Sequence, residues 1–210
     1  MNVILFDTDR PNFYPLSYTR PIAEFRIGIL TIKEKWEHLS DLSFSYKTED
    51  YLQKKYPIQK AKSNLWINST VLPNKDLLST ILSLENNQCL KKEGVVIAYK
   101  SKNANEYDSH IEYDSDLFQI NKTHKIFTLN DKEISADYQL VTSGRESQKI
   151  SDTNTVIGQG NIFIEPGAIV ECSILNAQSG FIYIGKNAEI MEGCLIRGSF
   201  AMCNNSVLKM

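Results

Sequence analysis

The last third of the chain carries a repeat that few folds can satisfy. Ile184, Ile190, Ile196, Met202 and Leu208 recur at an unbroken period of six, and Ile164 and Val170 share that spacing with a two-residue offset before Ile184. Small residues follow four positions after several of these, at Ala168, Ala188, Cys194 and Ser206, and Gly158, Gly167, Gly185, Gly193 and Gly198 punctuate the turns. An α-helix repeats near 3.6 residues and an open strand at 2, so neither sustains this pattern. A period of six is the hexapeptide signature, in which each unit is one short strand and a turn. Its aliphatic and its small residue both point into a triangular prism, and three units close a coil of about 18 residues that stacks on the next by parallel ladders. The repeat predicts a left-handed parallel β-helix over residues 151–210.

Upstream, strand-like and helix-like patterns alternate instead. Asn2–Phe6 is a short apolar run of the kind that forms a buried parallel strand. After a polar, proline-bearing loop over 7–20, Ile22, Phe25, Ile29, Ile32, Trp36 and Leu39 recur at spacings of 3 and 4, which predicts an amphipathic helix. Thr19 would be its N-cap, with Pro21 in the first turn. Leu42, Phe44 and Tyr46 alternate as a second strand, 49–56 suits a short helix, and Leu65–Ile67 suits a third strand. Asn74 caps a helix carrying Leu77, Leu78, Ile81 and Leu84. Val95–Tyr99 is a fourth strand, residues 101–125 show no readable pattern, and Ile134, Tyr138 and Val141 predict a helix that stops at Gly144. The polar stretch 145–154 reads as a linker. The fold class expected is therefore α/β: a Rossmann-like, mostly parallel sheet domain over 1–150, followed by the start of the β-helix over 151–210. In such sheets ligands bind beyond the carboxyl ends of the strands, which directs attention to 7–20 and 68–74.

Composition narrows the function. A net charge of −2 argues against nucleic acid as partner. No apolar run reaches the 18 or so residues of a membrane span, and the acid at Asp7 leaves no signal-peptide n-region at the N-terminus, so a cytoplasmic location is expected. The four cysteines show no C-x-x-C pair, and the three histidines lie far from them, which favours small buried residues over a zinc site.

Longer stretches carry a resemblance. LFDTDRPNFYPLSYTRPIAEFRIGILTIKEKW (5–36), LWINSTVLPN (65–74), SDTNTVIG (151–158) and YIGKNAEIMEGCLIRGSFAMCNNSVLKM (183–210) resemble the Bacteroidetes-type alternative GlmU-like family, UDP-N-acetylglucosamine diphosphorylase/glucosamine-1-phosphate N-acetyltransferase enzymes. The resemblance covers nearly the whole chain and is weakest over 101–125. It implies a sugar nucleotidyltransferase whose partners are a nucleoside triphosphate and a sugar 1-phosphate, with Mg²⁺ as cofactor and a homo-oligomer, trimeric where the β-helix is complete.

Two departures from the usual enzymes stand out. The nucleotide loop of these enzymes is rich in glycine, so that backbone N–H groups can approach phosphate, whereas Asp7–Thr19 contains none. Arg20-Pro21 stands roughly where they have Pro-Lys. Arg20 and Arg26 are therefore the candidate catalytic residues, and Asp7, Arg10, Thr19 and Arg20 the candidate nucleotide and phosphate contacts, arginine being apt for its planar two-donor grip. Asn68 matches the position of the usual Mg²⁺-holding aspartate, with Asp7 and Asp9 as alternative carboxylates. Plainer readings stand beside these: a solvated Arg10, an Arg20 that neutralises its loop, a surface Arg26 paired with Glu24 or with the neighbours of Lys33, a turn-forming Asp7 and an Asx-turn at Asn68. Trp36 and Trp66 read as core. With no histidine after His124 the chain lacks the general base that acetyl transfer needs, so no acetyltransferase activity is expected. The stop two residues after the core position Leu208 suggests a fragment of a longer protein. A catalytically silent nucleotide-sugar-binding module, or an assembly module, is the alternative to an enzyme.

Overall fold

A computed structural model describes residues 2–209. The chain divides into two compact units, Met1–Arg26 with Leu30–Ile126, and Ile27–Ile29 with Phe127–Met210.

The first unit is built on a six-stranded sheet. Its strands are β1 (Asn2–Phe6), β2 (Phe44–Lys47), β3 (Asn64–Asn68), β4 (Gln88–Lys92), β5 (Val95–Ser101) and β6 (Ser109–Glu112), in the order β2-β1-β3-β5-β4-β6. β1 pairs in parallel with both β2 and β3, β4 pairs in parallel with β6, and β5 runs antiparallel to β3 and β4. The central strands are apolar because both their faces are covered: Val3, Ile4, Leu65, Trp66 and Ile67 are all buried. Three helices accompany the sheet: α1 (Ile32–Leu39), α2 (Asp50–Gln53) and α3 (Lys75–Leu82). Asn74 caps α3 by accepting the amide of Leu77 at 2.8 Å, as its position predicts. β1 connects leftward to β2, and β2 connects across to β3 on the other side of β1. The chain thus reverses direction about β1, and the crevice beyond the carboxyl ends of β1 and β3 is where such sheets take ligands.

The helix expected over 22–39 needs correction. Ile22–Glu24 make one 3₁₀ turn, and the α-helix starts only at Ile32. Gly28 adopts a left-handed φ of +82°, which ends any helical run. The N-cap is Thr31, not Thr19. The Thr31 side chain accepts the Glu34 amide at 3.2 Å, and the Glu34 carboxylate accepts the Thr31 amide at 2.7 Å. This is a reciprocal capping box. The apolar residues that mimic a helical stripe pack from an extended segment instead.

The second unit holds α4 from Phe127 onward, α4 as a whole being His124–Thr142, together with three coils of a β-helix. The coils are β7 (Thr155–Ile157), β8 (Ile162–Ile164) and β9 (Ile169–Val170); then β10 (Ile174–Asn176), β11 (Ile182–Ile184) and β12 (Glu189–Ile190); then β13 (Leu195–Arg197), β14 (Phe200–Met202) and β15 (Val207–Leu208). They stack as three parallel three-stranded sheets. Ile164, Ile184 and Met202 lie in register on one face, and Val170, Ile190 and Leu208 on another. Their side chains, with Ala168, Ala188 and Cys194, form the core of the prism, Leu208 packing against it half-buried. The two-residue offset is absorbed at the corner after β10, where 177–181 precede β11. The third coil turns the same corner with Gly198 and Ser199 alone. A side chain at Gly198 would run into the backbone of Gly180 on the coil below. Residues 145–154 hydrogen-bond along the first coil, Gln148 donating its amide to Ile164 at 2.8 Å. Cys89 and Cys194 are buried as expected, whereas Cys172 and Cys203 are exposed.

Candidate functional site

The loop that follows β1 folds by charge rather than by glycine. Asp7 leaves the strand with a side chain 2% exposed, and Arg10 returns onto it with a side chain 7% exposed, the two forming a buried ion pair. The carboxylate also accepts the amide of Ile22 at 3.0 Å and the hydroxyl of Thr48 at 2.6 Å. The Arg10 guanidinium donates to Thr48 at 2.9 Å and to the carbonyl of Ser17, whose hydroxyl donates back to the Arg10 carbonyl at 2.9 Å. Phe13 packs on Phe25 beneath the loop, with ring centroids 5.6 Å apart. Burial pushes the Asp7 carboxyl above its usual value, against the opposing pull of Thr48, the Ile22 amide and Arg10.

What this scaffold presents is a cavity of about 310 Å³ lined by Pro15, Leu16, Thr19, Arg20, Phe25, Arg26 and Ile126. Three sequence candidates, Thr19, Arg20 and Arg26, therefore line one cavity. Arg20 is exposed, and among the described residues its guanidinium pairs with nothing. Arg26 is 40% exposed and reaches Glu34 at 3.4 Å, the carboxylate of the capping box. Two cations over a cavity with an apolar floor are suited to grip a polyanion that carries an organic group. The other two phosphate candidates, Asp7 and Arg10, are committed to each other inside the loop and hold its shape. Thr48 and Ser17 complete that brace, and nothing in their sequence surroundings marks them out.

Asn68 closes β3 next to Phe6 of β1. Its amide oxygen accepts from Thr8 at 3.2 Å, from the Thr70 hydroxyl at 2.8 Å and from the Thr70 amide at 3.0 Å, while its amide nitrogen donates to the Val96 carbonyl at 2.9 Å. This is the Asx-turn reading. An oxygen with three donors has no lone pair left for a cation, so Asn68 does not fit the Mg²⁺ ligand expected of it. Asp7 is buried and spends its carboxylate on the Ile22 amide, Thr48 and Arg10. Among the described residues no group of three or more His, Cys, Asp and Glu side chains is placed to hold a metal ion.

A sheet that switches direction about its first strand, an arginine-walled cavity on the loop after that strand, and β-helix coils downstream define an α/β nucleotidyltransferase domain followed by three coils of a β-helix. The sequence profile of the family described as sugar nucleotidyl transferase matches residues 3–146. The chain belongs to that family. No curated protein matches it. Among the described residues no helix is long and apolar enough to cross a membrane.

Proposed function

We propose that the chain transfers a uridylyl group from UTP to a sugar 1-phosphate such as N-acetylglucosamine 1-phosphate, the diphosphorylase reaction of the GlmU-like enzymes it resembles. The cavity walled by Thr19, Arg20 and Arg26 carries this reading. An oxygen of the sugar phosphate attacks the α-phosphorus, a new P–O bond forms, the bond to the β-phosphate breaks, and pyrophosphate leaves with the electron pair. The nucleophile is already an anion, so no general base has to be built. The chain's share of the work is to align the two anions and to offset their repulsion, and guanidinium groups suit both tasks. Arg20 would face the triphosphate, Arg26 the second phosphate group, and the Thr19 hydroxyl would donate to a phosphate oxygen. The preformed brace of Asp7, Arg10, Thr48 and Ser17 would hold these groups in place before substrate arrives.

A second reading, a nucleotide-sugar-binding module without turnover, is favoured by one observation: Asp7 and Asn68, the acid and amide nearest the carboxyl ends of β1 and β3, are spent on internal hydrogen bonds. Release of pyrophosphate from UTP, across a panel of sugar 1-phosphates and Mg²⁺ concentrations, separates the two. The enzyme reading expects release that depends on the sugar phosphate. A melting temperature raised by UDP-sugar with no release at any condition supports the binding module, and no response to either ligand removes both.

A further inference from the structure

We propose that Tyr14 and Tyr18 form the stacking platform for the nucleobase of the bound nucleotide, so that one loop reads the base and grips the phosphates. The proposal rests on the nucleotidyltransferase reading above and adds to it the residues that recognise the organic half of the donor.

The two rings lie nearly parallel, with centroids 4.1 Å apart and planes inclined by 10°. Yet Tyr14 is 45% and Tyr18 53% exposed. Each ring therefore uses one face on its neighbour and leaves much of the rest open to solvent. Aromatic side chains gain by burial, so a stacked pair left half exposed offers a surface that a flat ligand can cover. Leu16 between them is 43% exposed and adds to the same apolar surface.

The backbone that carries the platform is tied down. Between the two tyrosines, Ser17 is buried and tied to Arg10 in both directions, guanidinium to carbonyl and hydroxyl to carbonyl. The Tyr18 carbonyl accepts the Tyr51 hydroxyl at 3.0 Å. A preformed π surface can take a base without first being ordered, which removes much of the usual cost of binding.

Its place in the chain sets the ligand. Tyr14 directly precedes Pro15 and Leu16, and Tyr18 directly precedes Thr19 and Arg20, all four of which line the cavity. A ligand that is flat and apolar at one end and strongly anionic at the other fits a stacked tyrosine pair adjoining an unpaired guanidinium. A nucleoside triphosphate has that form, and inorganic phosphates lack the flat end. Bases stack on aromatic side chains through a π face that all of them share.

Calorimetric binding to the full chain with two probes, UTP and inorganic tripolyphosphate, tests this. Y14A and Y18A are expected to weaken UTP roughly tenfold or more while leaving tripolyphosphate at the wild-type affinity. Y18F keeps the ring and should keep UTP binding. Arg20→Ala should weaken both probes. If Y14A and Y18A bind UTP as wild type does, the platform is wrong although the functional reading survives. The platform is equally wrong if these variants raise the KM for the sugar phosphate instead, because the rings would then hold the acceptor. If wild type binds neither probe, the functional reading itself falls. Unchanged melting temperatures show that the two exposed substitutions leave the fold intact.

Discussion

Each unit of the molecule holds a carboxylate against an arginine, and the two pairs behave in opposite ways. In the loop after β1, Asp7 and Arg10 have side chains only 2% and 7% exposed. In the β-helix unit, Glu165 meets Arg145 through two bonds at 2.9 and 2.6 Å, but Arg145 is 46% exposed while Glu165 is 9% exposed. For Asp7 burial outweighs Thr48, the Ile22 amide and Arg10, and the carboxyl ends above its usual 3.8. For Glu165 burial also acts to raise the carboxyl, but the bonds from Arg145 and from the Tyr183 hydroxyl at 2.8 Å outweigh it, and it ends below its usual 4.5. The difference lies in solvent. A fully desolvated pair spends its attraction on the cost of burial, whereas a pair at the rim keeps most of it. The first pair therefore contributes shape more than stability, and the shape it contributes is that of the loop after β1.

Removing one partner from each pair strains this contrast the most. Arg10→Ala leaves the Asp7 charge and the Ser17 carbonyl buried without their donor, and should destabilise the first unit by about 3–5 kcal/mol. Both tryptophans, Trp36 and Trp66, are buried in that unit, so urea unfolding followed by tryptophan fluorescence reads it. Arg145→Ala lies in the second unit, which holds no tryptophan, and should cost that unit about 1 kcal/mol, read by urea unfolding followed by circular dichroism, because an exposed partner is screened and water can replace it. Should the loss at Arg145 exceed that at Arg10, the contrast between the two pairs is mistaken.

The smallest effect is in pH. The folded Glu165 carboxyl lies below its unfolded value, so as pH falls the unfolded chain takes up the proton first. Its contribution is complete above about 4.5 and is lost as pH drops further. Asp7 has the opposite sign: its folded carboxyl lies above 3.8, so its contribution is present below that value and is lost as pH rises through the folded one. Glu165→Gln should therefore flatten the acid-side fall in stability below about pH 4.5, by roughly 1 kcal/mol or less, and Asp7→Asn should remove the opposing slope that lies above pH 3.8. Stability measured from pH 3 to 7 on each variant checks both slopes.

The prism is legible in the sequence because its structure is local and repetitive. Every sixth residue meets the same environment, so Ile184 through Leu208 announce their own register. β1, β3 and the cap at Asn74 are legible for similar reasons. The stripe over 22–39 misleads because an extended chain can also place apolar residues three and four apart, and Gly28 and the Thr31–Glu34 box outweigh it. β6 is hidden because all four of its residues are exposed, which leaves no apolar alternation to read. At the site, Arg20 and Arg26 can be chosen by position and residue type. The burial of Arg10 cannot, since it depends on Thr48 and Ser17, brought in by the fold. The aromatic pair at 14 and 18 has a spacing of four but gives no sign that it stays in solvent.

If the cavity under Arg20 and Arg26 receives the nucleotide's phosphates, Arg20→Ala tests it most directly. Arg20 is exposed, and among the described residues its side chain braces nothing, so the variant should melt as wild type does. Its kcat/KM for pyrophosphate release from UTP and N-acetylglucosamine 1-phosphate should fall by about 10²–10³. A folded Arg20→Ala variant that turns over at the wild-type rate would contradict this assignment.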